Sequence, residues 1–121
     1  MNSTIAVLAS AARTVTNASN DFINYYSKGL HLIIDVTATA VTPSIVVTIQ
    51  GKDYLSGKYY TILTSAAITA TGTTVLRVYP NATAAANTAV NDFLPANWRV
   101  SVAHADSDSI TYSIAANLLG V

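Results

Sequence analysis

The segment from His104 to Asp108 brings possible metal ligands closest together in this sequence. It reads His-Ala-Asp-Ser-Asp, so one histidine and two aspartates, Asp106 and Asp108, stand at alternate positions. Calcium loops also place oxygen ligands at alternate positions, but the glycine and glutamate that complete such a loop are missing here. Short aspartate side chains accept hydrogen bonds from backbone amides in turns. We therefore predict a turn that follows a strand ending at His104, without a metal.

Nucleophilic catalysis requires a nucleophile, a base and an acid that orients the base. The chain has two histidines, His31 and His104, and six aspartates, but no cysteine and no glutamate. A Gly-x-Ser-x-Gly turn is absent, and the Gly-Lys pairs at 51–52 and 57–58 lack the spacing of a phosphate loop. We predict that the protein is not an enzyme and has no catalytic, cofactor-binding or metal-binding residues. His31 is predicted to be a hydrogen-bonding surface or interface residue.

Tyrosines are the second group of residues that could form a site. The seven are Tyr25, Tyr26, Tyr54, Tyr59, Tyr60, Tyr79 and Tyr112. Because tyrosine has an apolar ring and a polar tip, an exposed group of them could bind sugars or another protein. The alternative is that they cover the edges of β-sheets, and the sequence leaves both interpretations open.

The low charge of the chain limits its possible partners. Six Lys and Arg balance six Asp, and charged residues make up 10% of the chain, against about 25% in an average soluble domain. A neutral chain lacks the basic surface that nucleic acids require. A net charge near zero also gives a monomer little electrostatic repulsion against association with other copies or proteins. We expect contacts with other proteins and no nucleic-acid partner.

Neither the N-terminus nor any other segment is typical of membrane insertion or secretion. The apolar run near residues 5–12 has no basic residue before it, which disfavours a signal peptide. No stretch of 18 uninterrupted apolar residues occurs, which argues against a membrane-spanning helix. We expect a protein made in the cytoplasm that has no membrane partner.

Alternation of apolar and polar residues predicts most of the strands. They cover residues 29–38, 44–50, 58–64, 73–79, 97–104 and 110–119, and residues 4–16 form a further strand or an extended arm. A short helix over 5–13 is the alternative for that first segment. Asp35 and Arg77 lie on predicted strands and could form a surface ion pair.

Turn residues predict how these strands are connected. Residues 51–57 have glycine at both ends and are predicted to form a hairpin loop. Residues 97–119 are predicted to form a second hairpin, which turns at 105–109 and organises the rest of the fold. The segment 82–92 is open between a short helix, favoured by its alanines, and a surface loop.

The number and spacing of strands predict the fold class. Seven or eight strands, roughly 10 to 15 residues apart and without long helices between them, indicate an all-β protein, an antiparallel β-sandwich that is jelly-roll-like. The length of 121 residues predicts one domain. We divide the chain into an N-terminal arm or first strand, residues 1–20, and a β-sandwich domain, residues 21–121.

An ordered set of short motifs gives the chain a family resemblance. They are residues 29–37 (GLHLIIDVT), 43–44 (PS), 47–53 (VTIQGKD), 56–63 (SGKYYTIL), 71–80 (TGTTVLRVYP), 94–95 (LP), 98–99 (WR) and 104–113 (HADSDSITYS). This succession, which covers about residues 28–118, resembles a family of small structural proteins encoded beside head genes in tailed bacteriophages and prophages.

The resemblance implies a virion component. It implies a capsid decoration or cement protein that binds the outer surface of the major capsid protein and stabilises the head. For a protein of this class we also expect a homo-oligomer, and a trimer is our guess. The family has no catalytic residues to transfer to this chain. Our alternative is a carbohydrate-binding or host-adsorption module on the virion, which would use the tyrosines.

Overall fold

The computed structural model describes residues 3–120, in which ten strands form two sheets. The strands are β1 (Ser3–Arg13), β2 (Asn17–Ala18), β3 (Phe22–Ile23), β4 (Gly29–Thr39), β5 (Ile45–Lys52), β6 (Tyr59–Thr64), β7 (Gly72–Tyr79), β8 (Ala89–Asn91), β9 (Asn97–His104) and β10 (Ile110–Leu119). The predicted all-β class is confirmed. The strand count is ten instead of seven or eight, because β2, β3 and β8 are too short to give an alternating pattern.

The two sheets pack face to face as a sandwich. One has the strand order β1-β10-β4-β7-β8 and the other β2-β9-β5-β6, with β3 also paired to β9. If β3 and β8 are set aside, the remaining eight strands give two four-stranded sheets with the connections of a jelly roll. The described strand pairs are antiparallel except β7 and β8, which are parallel.

The core consists of the inward-facing residues of both sheets. Leu32 and Ile34 of β4 are fully buried, as are Val47 and Ile49 of β5, in agreement with the predicted alternation. Trp98 of β9 is among the largest buried side chains and packs on Phe22 with ring centroids 4.9 Å apart. Each fully buried aliphatic side chain stabilises the fold by about 1.5–3 kcal/mol through removal from water.

The predicted hairpin over residues 97–119 is wrong. β9 pairs with β2, β3 and β5, whereas β10 pairs with β1 and β4 in the other sheet. Residues 105–109 therefore cross between the sheets, and the Ala105 amide donates to the Ser44 carbonyl on the way. Alternation shows which residues face the core but not which strand is the neighbour. By contrast, β5 and β6 do form the predicted antiparallel hairpin.

Gly51 lies in β5 rather than in the loop that was predicted to begin there. A Cβ atom at this position would come within 2.2 Å of the Tyr60 ring on β6. The glycine therefore lets an aromatic ring of the neighbouring strand lie directly over the backbone.

The possible helices at 5–13 and 82–92 are also wrong. Residues 3–13 form β1, which pairs with β10 along its length, although two bulges interrupt the register. Within 82–92, Ala89–Asn91 becomes β8 beside β7 and the residues before it form turns. Alanine favours a helix only weakly, and hydrogen bonds to a neighbouring strand override that preference.

Asp35 and Arg77 do not face each other across the sheet. Asp35 stands opposite Thr73, and Arg77 stands opposite His31, four residues away along β4. The predicted ion pair is therefore wrong. Met1, Asn2 and Val121, which belong to the segments 1–20 and 21–121 of our division, lie outside the described residues. A search of residues 3–120 for a helix long and apolar enough to cross a membrane finds none.

Candidate functional site

One end of the sandwich carries most of the large apolar side chains that are exposed to solvent. We call this group the apolar rim; its members are Ile23, Tyr25, Tyr26, Tyr54, Leu55 and Phe93. At the other end, the exposed large apolar residues are Val15 and Val41. Single exposed apolar residues are common, but a group at one end of a domain is typical of an interaction surface.

Hydrogen bonds between loops bring the members of the rim together. The Asn24 amide donates to the Ala96 carbonyl, at 2.7 Å, and the Leu94 amide donates to the Lys28 carbonyl, at 2.8 Å. These two bonds join the β3–β4 loop to the β8–β9 loop. The β5–β6 loop begins after Lys52, which pairs with Tyr59 of β6. The preceding residue, Gly51, pairs with Trp98 near the start of β9, directly after the β8–β9 loop. The three loops therefore lie at the same end of the sandwich.

The loop that carries Tyr54 and Leu55 is held in shape by Asp53. Its carboxylate accepts hydrogen bonds from the Leu55 amide, at 3.2 Å, and the Ser56 hydroxyl, at 2.7 Å. These bonds lower the pKa of Asp53, with the Ser56 hydroxyl contributing most. The Tyr54 and Leu55 side chains are nevertheless 85% and 92% exposed. A rigid loop that presents two apolar side chains to water loses little conformational entropy when it binds.

The Tyr25–Tyr26 pair stands on a second ordered loop. The Asn24 side chain donates to the carbonyls of Ser27, at 2.7 Å, and Leu94, at 3.0 Å, and accepts from the Ser27 amide. The rings of Tyr25 and Tyr26 are 6.2 Å apart and form one wall of a cleft of about 200 Å³. This cleft also contacts Leu118 of β10 and is predominantly apolar.

A larger and more polar cleft, of about 360 Å³, lies below Tyr54. Asp21, Lys52 and Asn97 contribute polar groups to its lining. The Lys52 Nζ lies 2.8 Å from the Asp21 carboxylate, to which the Tyr59 hydroxyl also donates, at 2.7 Å. The bond from Lys52, followed by that from Tyr59, lowers the pKa of Asp21. Because the ammonium and the carboxylate compensate each other, the cleft is electrically neutral and rich in hydrogen-bonding groups.

The predicted turn at His104–Asp108 forms, and its aspartates bond to backbone amides as predicted. Asp106 accepts from the Asp108 amide, at 3.0 Å, and Asp108 accepts from the Thr42 amide, at 3.2 Å. Within residues 3–120, no three His, Cys, Asp or Glu side chains are placed so that they could hold a metal ion.

His104 takes part in a hydrogen-bonded cluster that we call the clasp, formed by Arg13, Asn17, His104 and Tyr112. The Tyr112 hydroxyl lies 3.3 Å from the His104 Nε2 and donates to the Asn17 side chain, at 3.1 Å. The Arg13 guanidinium lies 4.6 Å from the centre of the Tyr112 ring and donates to the Tyr112 carbonyl. The clasp joins β1 and β10 of one sheet to β2 and β9 of the other.

Burial within the clasp changes two ionisation equilibria. It lowers the pKa of His104, an effect that Arg13 reinforces and Asp106 opposes. It raises the pKa of Tyr112. His31 lies at a distance from the clasp, opposite Arg77 on β7 and with its ring 6.0 Å from that of Tyr79. Burial, followed by the charge of Arg77, lowers the pKa of His31.

The seven tyrosines do not form one platform. Tyr25, Tyr26 and Tyr54 belong to the rim, whereas Tyr112 is fully buried in the clasp and Tyr59 lies under the Arg99 guanidinium, 3.5 Å from its ring centre. The sequence reasoning did not identify Ile23, Leu55 and Phe93. The signal that could have found them is that each is a large apolar residue within or next to a turn or loop, outside the long alternating strands that form the core.

No family model matches this chain, and no match was found among curated proteins or solved structures. The resemblance to bacteriophage head proteins therefore stays a prediction from the sequence motifs.

Proposed function

We propose that this chain is a non-enzymatic decoration protein of a tailed-bacteriophage head, and that it binds the outer surface of the major capsid protein through the apolar rim. The observation that carries the proposal is the concentration of exposed apolar side chains on ordered loops at one end of the sandwich. The sequence resemblance supplies the class of partner. The low charge of the chain fits a surface that is covered by another protein.

The expected binding energy follows from the composition of the rim. Tyrosine is among the residues that dominate protein interfaces, and such a residue contributes about 2 kcal/mol or more when it fills a partner's pocket. A standard interface buries about 1,600 Å² in total. Many copies on a symmetric shell convert moderate single-site affinities into high avidity wherever one copy links two capsid subunits.

The arrangement of the titratable groups supports a non-enzymatic role. His104 is engaged by a buried tyrosine hydroxyl, and His31 faces an arginine and an aromatic ring. Within residues 3–120, neither imidazole ring hydrogen-bonds to a serine or threonine hydroxyl that it could activate as a base; the Thr16 hydroxyl accepts from the backbone amide of His104 instead.

The test measures occupancy on capsids that lack this protein. The double variant Tyr54→Ser/Leu55→Ser is expected to bind at least about 30-fold more weakly, because it removes two exposed anchors. Val15→Ser provides the matched control, since Val15 is 66% exposed at the opposite end. A density map of the decorated particle should place the rim against the shell. Equal occupancy for the double variant and the control would contradict the proposal.

The neutral cleft below Tyr54 supports a second candidate, a carbohydrate-binding module on the virion. Its volume of about 360 Å³ lies within the range of small-molecule sites, and Tyr54 could stack on a sugar ring above the polar groups of Asp21 and Asn97. Phe93→Ser separates the candidates, because Phe93 belongs to the rim but does not line this cleft. It should weaken capsid binding and leave glycan-array binding unchanged. Detection of the protein in tails rather than heads would also favour the second candidate.

A further inference from the structure

The first strand presents the longest open sheet edge among residues 3–120. β1 spans 11 residues and pairs with β10 on one side only. The other terminal strands are shorter: β8 has three residues, β2 has two and β6 has six. An open edge exposes a row of unpaired backbone amides and carbonyls to which another strand can bind.

The side chains of β1 lack the features that usually protect such an edge. Residues 3–12 contain no charged residue and no proline, whereas natural edges are commonly protected by lysine or proline. The exposed side chains in this stretch are small: Ser3, Thr4, Ala6, Ala9, Ser10, Ala11 and Ala12. A second strand can therefore approach without steric or electrostatic obstruction.

Only the first half of the edge is regular enough for pairing. The register with β10 is continuous from Ser3 to Ala6 and is interrupted between Ala6 and Leu8 and again between Leu8 and Ala11. The Arg13 side chain folds back and donates to the carbonyls of Ala9, at 2.6 Å, and Ala11, at 3.3 Å. These contacts satisfy backbone groups of the second half and leave the regular segment from Ser3 to Ala6 as the site for pairing.

We infer that two copies of this chain associate by antiparallel pairing of the regular first part of β1, centred on Ile5. Residues directly opposite each other in an antiparallel pair point to the same face. Centring on Ile5 places Ile5 against Ile5 of the partner subunit, and Thr4 against the partner's Ala6.

The packing of β1 gives this register its driving force. Ile5 and Leu8 are half-buried and already pack against the core cluster, whereas Val7 is buried within it. A strand added at the edge would extend the apolar layer from one copy into the next, so that Ile5 becomes buried on both sides. The arrangement is self-complementary under a two-fold axis, as is required for a closed dimer of identical chains. The inference does not depend on the proposed capsid function.

The first test is sedimentation equilibrium from about 10 μM to about 1 mM. The wild-type chain is expected to show a monomer–dimer equilibrium. Thr4→Lys/Ala6→Lys places like charges opposite each other across the two-fold axis and should weaken dimerisation at least about tenfold. Thr37→Lys is the matched control, because Thr37 is exposed on β4 of the same sheet, away from the edge. Thermal melts of each variant check that it is folded.

The second test uses the absence of cysteine from the chain. A single cysteine introduced by Ile5→Cys should form a disulfide-linked dimer under mild oxidation, because the two side chains meet at the axis. Thr37→Cys, on the same sheet but away from the edge, should still dimerise through β1 but form no disulfide-linked dimer. Point variants are preferred to deletion of the strand, since β1 contributes the buried Val7 to the core.

Three results would overturn the inference: a monomer at every concentration, a dimer that the lysine pair leaves unchanged, or equal cross-linking of the two cysteine variants. A monomeric chain that still decorates capsids would contradict the β1 pairing and support the proposed function. A β1 dimer that fails to bind capsids would support the pairing and contradict the proposed function.

Discussion

The two ends of the sandwich have loops of similar length but use their side chains differently. At the rim, short polar side chains such as Asp53 and Asn24 organise the loops and leave apolar residues in water. At the opposite end, the clasp buries Tyr112 and engages its hydroxyl with His104 and Asn17. The comparison indicates that the clasp stabilises the fold, whereas the rim is free for binding.

Removal of the Tyr112 side chain should show most clearly that the two ends contribute differently to stability. Tyr112→Ala deletes a fully buried aromatic residue and leaves its hydrogen-bond partners without a hydroxyl. We expect the free energy of unfolding in urea to fall by about 3–5 kcal/mol. Tyr54→Ala at the rim should change it by less than about 0.5 kcal/mol. Similar losses for the two variants would show that the rim is also part of the stabilising structure.

As the pH is lowered, the loss of stability that arises in the clasp should begin at a higher pH than any loss that arises at the rim. Because the pKa of His104 is lowered in the folded protein, the unfolded chain binds more protons below its ordinary pKa near 6.5. The contribution of His104 to stability should therefore be constant above about pH 7 and decrease as the pH falls below 6.5, by at most about 1.4 kcal/mol per pH unit. His31 contributes in the same direction.

Chemical denaturation at a series of pH values measures this effect. His104→Gln should reduce the loss of stability below pH 6.5. We attribute the loss that remains in this pH range to His31. The Asp21 carboxylate below Tyr54 has a lowered pKa, so its contribution is lost only when the pH falls below the ordinary aspartate range, near 4. A stability curve unchanged by His104→Gln would show that the clasp does not sense this pH range.

The smallest expected effect concerns Val41, in the β4–β5 connection at the clasp end. Its φ angle is 62°, a left-handed conformation that β-branched residues rarely adopt. Val41→Asn should raise the free energy of unfolding by about 0.5–1 kcal/mol, because asparagine tolerates this conformation. Val15→Asn is the control: Val15 lies at the same end but is not among the residues with positive φ. An equal gain in both variants would point to the loss of exposed apolar surface instead of relief of strain.

Much of the core was predictable, because alternation is a local property. Residues such as Ile34, Ile49 and Val100 face inward as their strand pattern required. The neighbours of each strand were not predictable in the same way. A five-residue connection between β9 and β10 fits a hairpin and a crossing between sheets equally well, and only the pairing of β9 with β5 distinguishes the two.

The sequence determined the fold class, the inward faces of the long strands, the absence of disulfides and the types of residue available for a site. Tertiary structure decided which tyrosines are exposed, since Tyr54 and Tyr112 are the same residue type in opposite surroundings. It also decided that Tyr54, Tyr26 and Phe93, which are distant in the chain, share one end of the sandwich. The physical reason is that side-chain alternation depends on the backbone of one strand, whereas a surface depends on how distant strands pair.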